Sequence, residues 1–103
     1  MTELTNKSAL ELAAGLKSGE FSSVEVTQSH LDRISATEDD FNSFITVTDE
    51  LALETAKAVD AKRSAGEDLH ALAGVPVALK DLVVTEGVAT TAGSKMLENW
   101  VPP

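Results

Sequence analysis

Cysteine is absent from this 103-residue chain, and so is tyrosine. Without cysteine there is no disulfide, no thiolate nucleophile and no cysteine-based zinc site, a usage that suits a reducing compartment. Aromatic residues are only 4% of the chain, with three Phe and one Trp, so a core must be assembled from Ala, Val and Leu. Basic residues are also scarce: Lys and Arg number 8 against 17 Asp and Glu, a formal net charge of −9. Binding nucleic acid requires Lys and Arg to displace condensed counterions, so direct nucleic-acid binding is not expected. An anionic membrane surface is disfavoured for the same reason. No apolar run reaches the roughly 20 residues that span a bilayer, and the amino terminus has no basic region followed by an apolar stretch. These absences predict a cytoplasmic protein with no membrane partner. Hydrophobic residues nevertheless make up 43% of the chain, a globular proportion that fits one small domain.

Residues 1–68 read as mostly helical. Ser8-Ala9-Leu10-Glu11 has the form of a capping box, Leu12 and Leu16 lie one turn apart, and Gly19 supplies a stop. Ser22 with Glu25 begins a second helix, with Phe21 placed as a hydrophobic staple and Val24, Leu31 and Ile34 forming an apolar stripe. Glu38-Asp39-Asp40 at its end opposes the helix dipole, so fraying is expected there. Phe41 to Thr48 is rich in aromatic and β-branched residues and predicts a short strand. Thr48 or Asp49 then caps a third helix from Glu50 to about Ser64, with Ala52, Leu53, Ala56 and Val59 on one side and a stop at Gly66.

Residues 69–103 have another texture and predict a strand and loop region. Leu72 to Leu79 is continuously apolar, and Leu82-Val83-Val84 is a second apolar stretch. Continuous apolarity predicts strands buried on both faces, as in the middle of an α/β sheet, with Pro76 near the strand start. Gly87, Thr90, Thr91, Gly93 and Ser94 form a small-residue loop, and Lys95 to Asn99 suits one helical turn. The fold class is therefore α/β, with helices first and strands after. A buried strand needs neighbours that the preceding 70 residues do not supply. This predicts either the first part of something larger or association between copies of the chain.

Lys80 is the candidate with most chemical interest, because it stands between the two apolar stretches. Burial there would disfavour its charged form and allow it to act as a general base. The plainer reading is a strand-end lysine paired with a carboxylate. The loop Thr90-Thr91-Ala92-Gly93-Ser94 could bring backbone N–H groups close to a ligand, or be an ordinary tight loop. It lacks the spaced glycines of a phosphate-binding P-loop. His30 and His70 lie 40 positions apart with no regular carboxylate spacing, so no metal site is expected. The many carboxylates read as a solvated face.

The runs Leu72-Ala73-Gly74-Val75-Pro76-Val77-Ala78-Leu79-Lys80-Asp81 and Thr90-Thr91-Ala92-Gly93-Ser94-Lys95-Met96-Leu97-Glu98, ending in Trp100-Val101-Pro102-Pro103, resemble the amidase signature family. Ser8 to Leu12 and Asn42-Ser43-Phe44 fit as well, so the resemblance covers essentially the whole chain. Within the family, the second run is similar to the transamidating subunits of tRNA-dependent amidotransferases. The resemblance implies the first strands of an amidase-type mixed sheet within an α/β/α sandwich, residues 1–103 being the amino-terminal part of a single amidase domain. It implies a Ser–cis-Ser–Lys mechanism, with Lys80 at the position of the catalytic lysine and Gly93 and Ser94 in a substrate-binding segment. A glutamine side-chain amide would be cleaved, and the ammonia passed to partner subunits B and C. These would use ATP and Mg to amidate a misacylated tRNA, while the present residues bind no cofactor.

The family's Gly/Ser-rich segment with both catalytic serines is not matched by Ser8, Ser18, Ser22, Ser23, Ser29, Ser35, Ser43, Ser64 or Ser94. The resemblance thus implies a base without its nucleophile, and no glutaminase activity in these residues alone. Two further readings stand beside it: part of a general amidase-signature hydrolase with no role in tRNA metabolism, and a non-enzymatic acidic interaction module.

Overall fold

The computed structural model describes residues 3–103. A 3-10 turn at Leu4–Asn6 leads into three α-helices: α1 (Ala9–Ser18), α2 (Ser23–Phe41) and α3 (Asp49–Ser64). A second 3-10 turn lies at Lys95–Leu97.

Local chemistry fixes the helix ends. The Ser8 hydroxyl accepts the Glu11 N–H at 3.2 Å, and the Glu11 carboxylate accepts the Ser8 N–H at 3.1 Å, completing the capping box. Gly19 closes α1 in the left-handed region at φ 79. Ser22 caps α2 through a 3.1 Å bond from the Glu25 N–H. At the end of α3, the N–H groups of Gly66 and Glu67 reach back to the carbonyls of Arg63 and Lys62, with Gly66 at φ 78, as a Schellman closure requires. The N-cap of α3 is Thr48, whose side chain makes no capping bond.

The core is small. Leu12, Leu16, Phe21 and Val26 form a buried cluster, with Leu4 and Val75 packed against it. Phe21 lies over Gly15 so closely that a Cβ built there would stand 2.1 Å from the ring. The glycine inside α1 therefore exists for the ring. On α2 the buried residues are Ser23, Val26 and Thr27, and Val26 lies in the same cluster as Leu12 and Leu16 of α1. The stripe expected from Val24, Leu31 and Ile34 is only half-buried.

Three long-range contacts tie the chain together. The Asp60 carboxylate on α3 accepts the N–H groups of Ser23 at 2.8 Å and Val24 at 3.0 Å, two donors left unpaired by the first turn of α2. The Ser23 hydroxyl donates to the Gly74 carbonyl at 2.9 Å, and Arg63 Nη2 donates to the Ala73 carbonyl at 3.1 Å. Gly74 has φ 90, and a Cβ there would lie 3.0 Å from Ser23 Oγ and 3.3 Å from Leu16 Cδ1.

Three expectations are corrected. The end of α2 does not fray at Glu38–Asp40. Asn42 adopts the left-handed conformation and donates its N–H to the Glu38 carbonyl at 2.6 Å, while the Glu38 carboxylate accepts the Phe44 N–H at 2.9 Å. Phe41 to Thr48 is not a strand: Phe41 ends α2 and residues 42–48 are irregular, with no partner backbone alongside. Leu72 to Leu79 and Leu82 to Val84 do not form strands either. Turns occupy 71–74 and 81–82, and residues 75–80 have neither helix nor ladder. Among the described residues the only bridge is an isolated antiparallel one between Thr85 and Val88. A ladder needs a second strand, and these residues provide none.

Replacing Gly15 with Ala should destabilise the protein. Helix propensity favours Ala by about 1 kcal/mol, but overpacking costs about 1–3 kcal/mol. Urea unfolding is expected to show a lower midpoint for Gly15→Ala. A higher midpoint would mean that the Phe21 ring moves aside freely.

Candidate active-site segment

The segment carrying Lys80 starts from the anchor at Gly74 and Val75. Pro76 to Lys80 then runs along a groove of about 850 Å³. Leu31 and Ile34 of α2, Phe44 and Val47 of the irregular segment, Leu51 of α3 and Val88 also line it. The apolar side chains of the Lys80 segment are open: Val77 is 76% and Leu79 57% exposed. Lys80 is exposed as well. The burial expected of this stretch is therefore not supplied by the present residues.

The backbone around Lys80 is nonetheless well held. The Lys80 carbonyl accepts the Val83 N–H at 2.9 Å, closing a turn over 80–83. Asp81 is bound from two sides. Its carboxylate accepts the Thr91 N–H at 2.9 Å and the Thr91 hydroxyl, and its carbonyl accepts the Ala92 N–H at 2.9 Å. The loop that receives it is itself a turn. The Ser94 N–H donates to the Thr91 carbonyl at 2.8 Å, and Ala92 and Gly93 both have positive φ, 48 and 72, as in a type I′ turn. The Gly93 N–H reaches Thr91 Oγ1 at 3.3 Å. Ser94 caps the following 3-10 turn, accepting the Met96 N–H at 3.2 Å.

Asp81 thus brings together the two segments singled out from the sequence, the one with Lys80 and the one with Gly93 and Ser94. Sequence reasoning misses its part. The available signal is a carboxylate beside the lysine and a threonine ten positions later, too little to specify a pair. The Thr91 hydroxyl and then the Thr91 N–H hold the Asp81 carboxyl below its ordinary value, desolvation opposes them, and the Gly93 and Ala92 N–H groups assist. The final residues brace the same loop. Thr90 donates its N–H to the Trp100 carbonyl at 3.2 Å, and Gly87 to the Pro102 carbonyl at 3.0 Å, with Thr90 and Pro102 buried.

The histidines play local parts. His30 Nδ1 lies 2.8 Å from the Val26 carbonyl within α2, and His70 Nδ1 accepts the Leu72 N–H at 3.1 Å. Among the described residues no group of three or more His, Asp or Glu gathers as a metal site. No described helix is long and apolar enough to cross a membrane.

The Amidase family model matches residues 25–103, and the chain belongs to that family. Among curated relatives, it is 56% identical over its whole length to the A subunit of the glutamyl-tRNA(Gln) amidotransferase of Renibacterium salmoninarum, covering 20% of that protein. It is 58% identical over its whole length to the protein of the same name from Salinispora tropica, covering 21% of it. The chain thus spans about a fifth of the length of these relatives. It is also similar to a chain of a solved, inhibitor-bound complex described as an unexpected vestigial protein complex that reveals the evolutionary origins of an s-triazine catabolic enzyme. The TM-score is 0.88 and the identity 39%, over 94% of this chain and 21% of that one. The match supports an amidase-type fold.

The lowered Asp81 carboxyl sets a pH dependence. A carboxylate whose folded value is depressed contributes stability above its unfolded value and loses it as pH falls through the folded one. The clasp should therefore hold at neutral pH and open in acid, below the ordinary carboxylate range. The Thr91 amide resonance, followed by NMR during an acid titration, is expected to shift with a midpoint below that of an exposed Asp. A midpoint at the ordinary value would show that the clasp is not closed in solution.

Proposed function

We propose that residues 1–103 form the amino-terminal part of the amidase component that releases ammonia from glutamine for the ATP-dependent amidation of misacylated tRNA, acting in the cytoplasm. The observation that carries this reading is the identity of more than half the residues along the full chain with the amidotransferase relatives. Lys80 is its base: it takes a proton from a bridging serine, which activates a nucleophilic serine to attack the side-chain amide. Ammonia leaves, and water hydrolyses the acyl-enzyme. Both serines and the oxyanion donors belong to the remaining four-fifths of the protein. Gly93 and Ser94 lie on the substrate side, where the bare backbone of Gly93 leaves room and the Ser94 hydroxyl still has its proton to donate. Partner subunits B and C receive the ammonia, bind tRNA and use ATP with Mg. That division of labour suits a segment with a net charge of −9.

The sheet belongs to the same proposal. Residues 72–79 and 82–84 become strands of an α/β/α sandwich when the rest of the domain supplies neighbours, which accounts for their continuous apolarity and present exposure. The relatives' names favour this reading over a general amidase-signature hydrolase, and the exposed apolar groove disfavours a self-contained acidic module.

Two measurements follow. The 103-residue chain alone should release no ammonia from glutamine above background, since loss of the nucleophile removes most of the rate enhancement. Release that Lys80→Ala abolishes would overturn this expectation. Sedimentation should show the isolated chain as a dimer or larger species, because the open groove favours self-association. A clean monomer at high concentration would indicate that the apolar face needs no cover.

A further inference from the structure

We infer that Asp81 is a positioning residue for Lys80, fixing the backbone from which the lysine reaches its substrate by clasping the Thr91–Ser94 turn. The inference rests on the reading of Lys80 as the base. Three features of the structure support it.

First, the attachment is complete on one residue. Both carboxylate oxygens and the carbonyl of Asp81 are bonded, all to Thr91 and Ala92. Second, the adjacent Lys80 carbonyl accepts the Val83 N–H, so the peptide unit joining Lys80 to Asp81 is held at its own carbonyl and the next unit at the Asp81 carbonyl. The lysine side chain is left exposed at the groove. Third, the receiving turn contains Ala92 at φ 48. The left-handed region brings Cβ too close to the following carbonyl oxygen, and such strain persists where surrounding contacts enforce it, often at functional sites. Here the Asp81 bonds to Thr91 and Ala92 act together with the Ser94 N–H to Thr91 carbonyl bond that closes the turn.

A purely structural staple would also hold these segments together, but the two roles separate in kinetics. Misplacing a catalytic group by about 1 Å costs on the order of 100-fold in rate with little effect on substrate affinity. A structural staple lowers the amount of folded enzyme and leaves the turnover of each folded molecule unchanged.

The test uses the full-length protein carrying this segment, assembled with its partner subunits, with glutamine as substrate and ammonia as the readout. Asp81→Ala removes the clasp. Thr91→Val removes the hydroxyl, and with it the bond to Asp81 and the bond from the Gly93 N–H, while the Thr91 N–H to Asp81 remains; Thr91→Ser restores both. The expected result is a fall in kcat of about 10- to 100-fold for Asp81→Ala and Thr91→Val, with KM for glutamine within about two-fold of the parent. Thr91→Ser should recover most of the lost kcat. Turnover per folded molecule that is unchanged in Thr91→Val, with only a lower melting temperature, would overturn the inference. Equal impairment of Thr91→Ser and Thr91→Val would do the same. Should Asp81→Ala fail to fold, the Thr91 pair decides. Activity surviving in Lys80→Ala, or an inactive parent protein, would instead remove the proposed function on which the inference stands.

Discussion

One hydrogen bond places the second half of the molecule. Ser23 begins α2, its hydroxyl is buried, and it donates to the Gly74 carbonyl. For that bond to form, Gly74 must approach α2 within the reach of a missing Cβ, and its φ of 90 is one that glycine adopts freely. Ser23 is fixed in turn by the Asp60 carboxylate on its N–H, and Arg63 on the same helix holds the neighbouring Ala73 carbonyl. One face of α3 therefore organises both the start of α2 and the loop that crosses it. Val75 then enters the core, and Pro76 to Lys80 leaves along the groove from a fixed origin.

What is legible in the sequence divides by the range of the interaction. Ser8 with Glu11, Ser22 with Glu25, Gly19 and Gly66 act within one or two turns, so their spacing in the chain is their spacing in space. The helix boundaries follow from them. Asp60 reaches back 36 and 37 residues, and Ser23 reaches forward 51. No local pattern encodes such pairs. Asn42 shows the same limit from another side. The acidic run before it predicts a frayed helix end, yet a left-handed Asn and the Glu38 carboxylate on the Phe44 N–H complete the terminus.

The apolar runs are legible as composition and not as structure. A helix satisfies its own backbone, whereas a strand becomes one only through a neighbour. Leu72 to Leu79 and Leu82 to Val84 have the residues of buried strands, and the described chain gives them turns and open side chains instead. The Amidase family model, which matches residues 25–103, includes both runs.

Within the proposed function, Lys80 as a base has two requirements, and they are separable. One is the placing of its backbone, which we have inferred the 80–83 turn and the Asp81 clasp to supply. Desolvation, which favours an amine without its proton, is a matter of cover, and Lys80 is exposed. The groove beside it is already lined with Leu31, Ile34, Val77 and Leu79. Within the proposed function, apolar cover over that groove would strip water from the amine. Within the proposed function, the segment holds the geometry of the base in advance, and the rest of the domain brings both the low-dielectric surroundings and the serines that make the base useful.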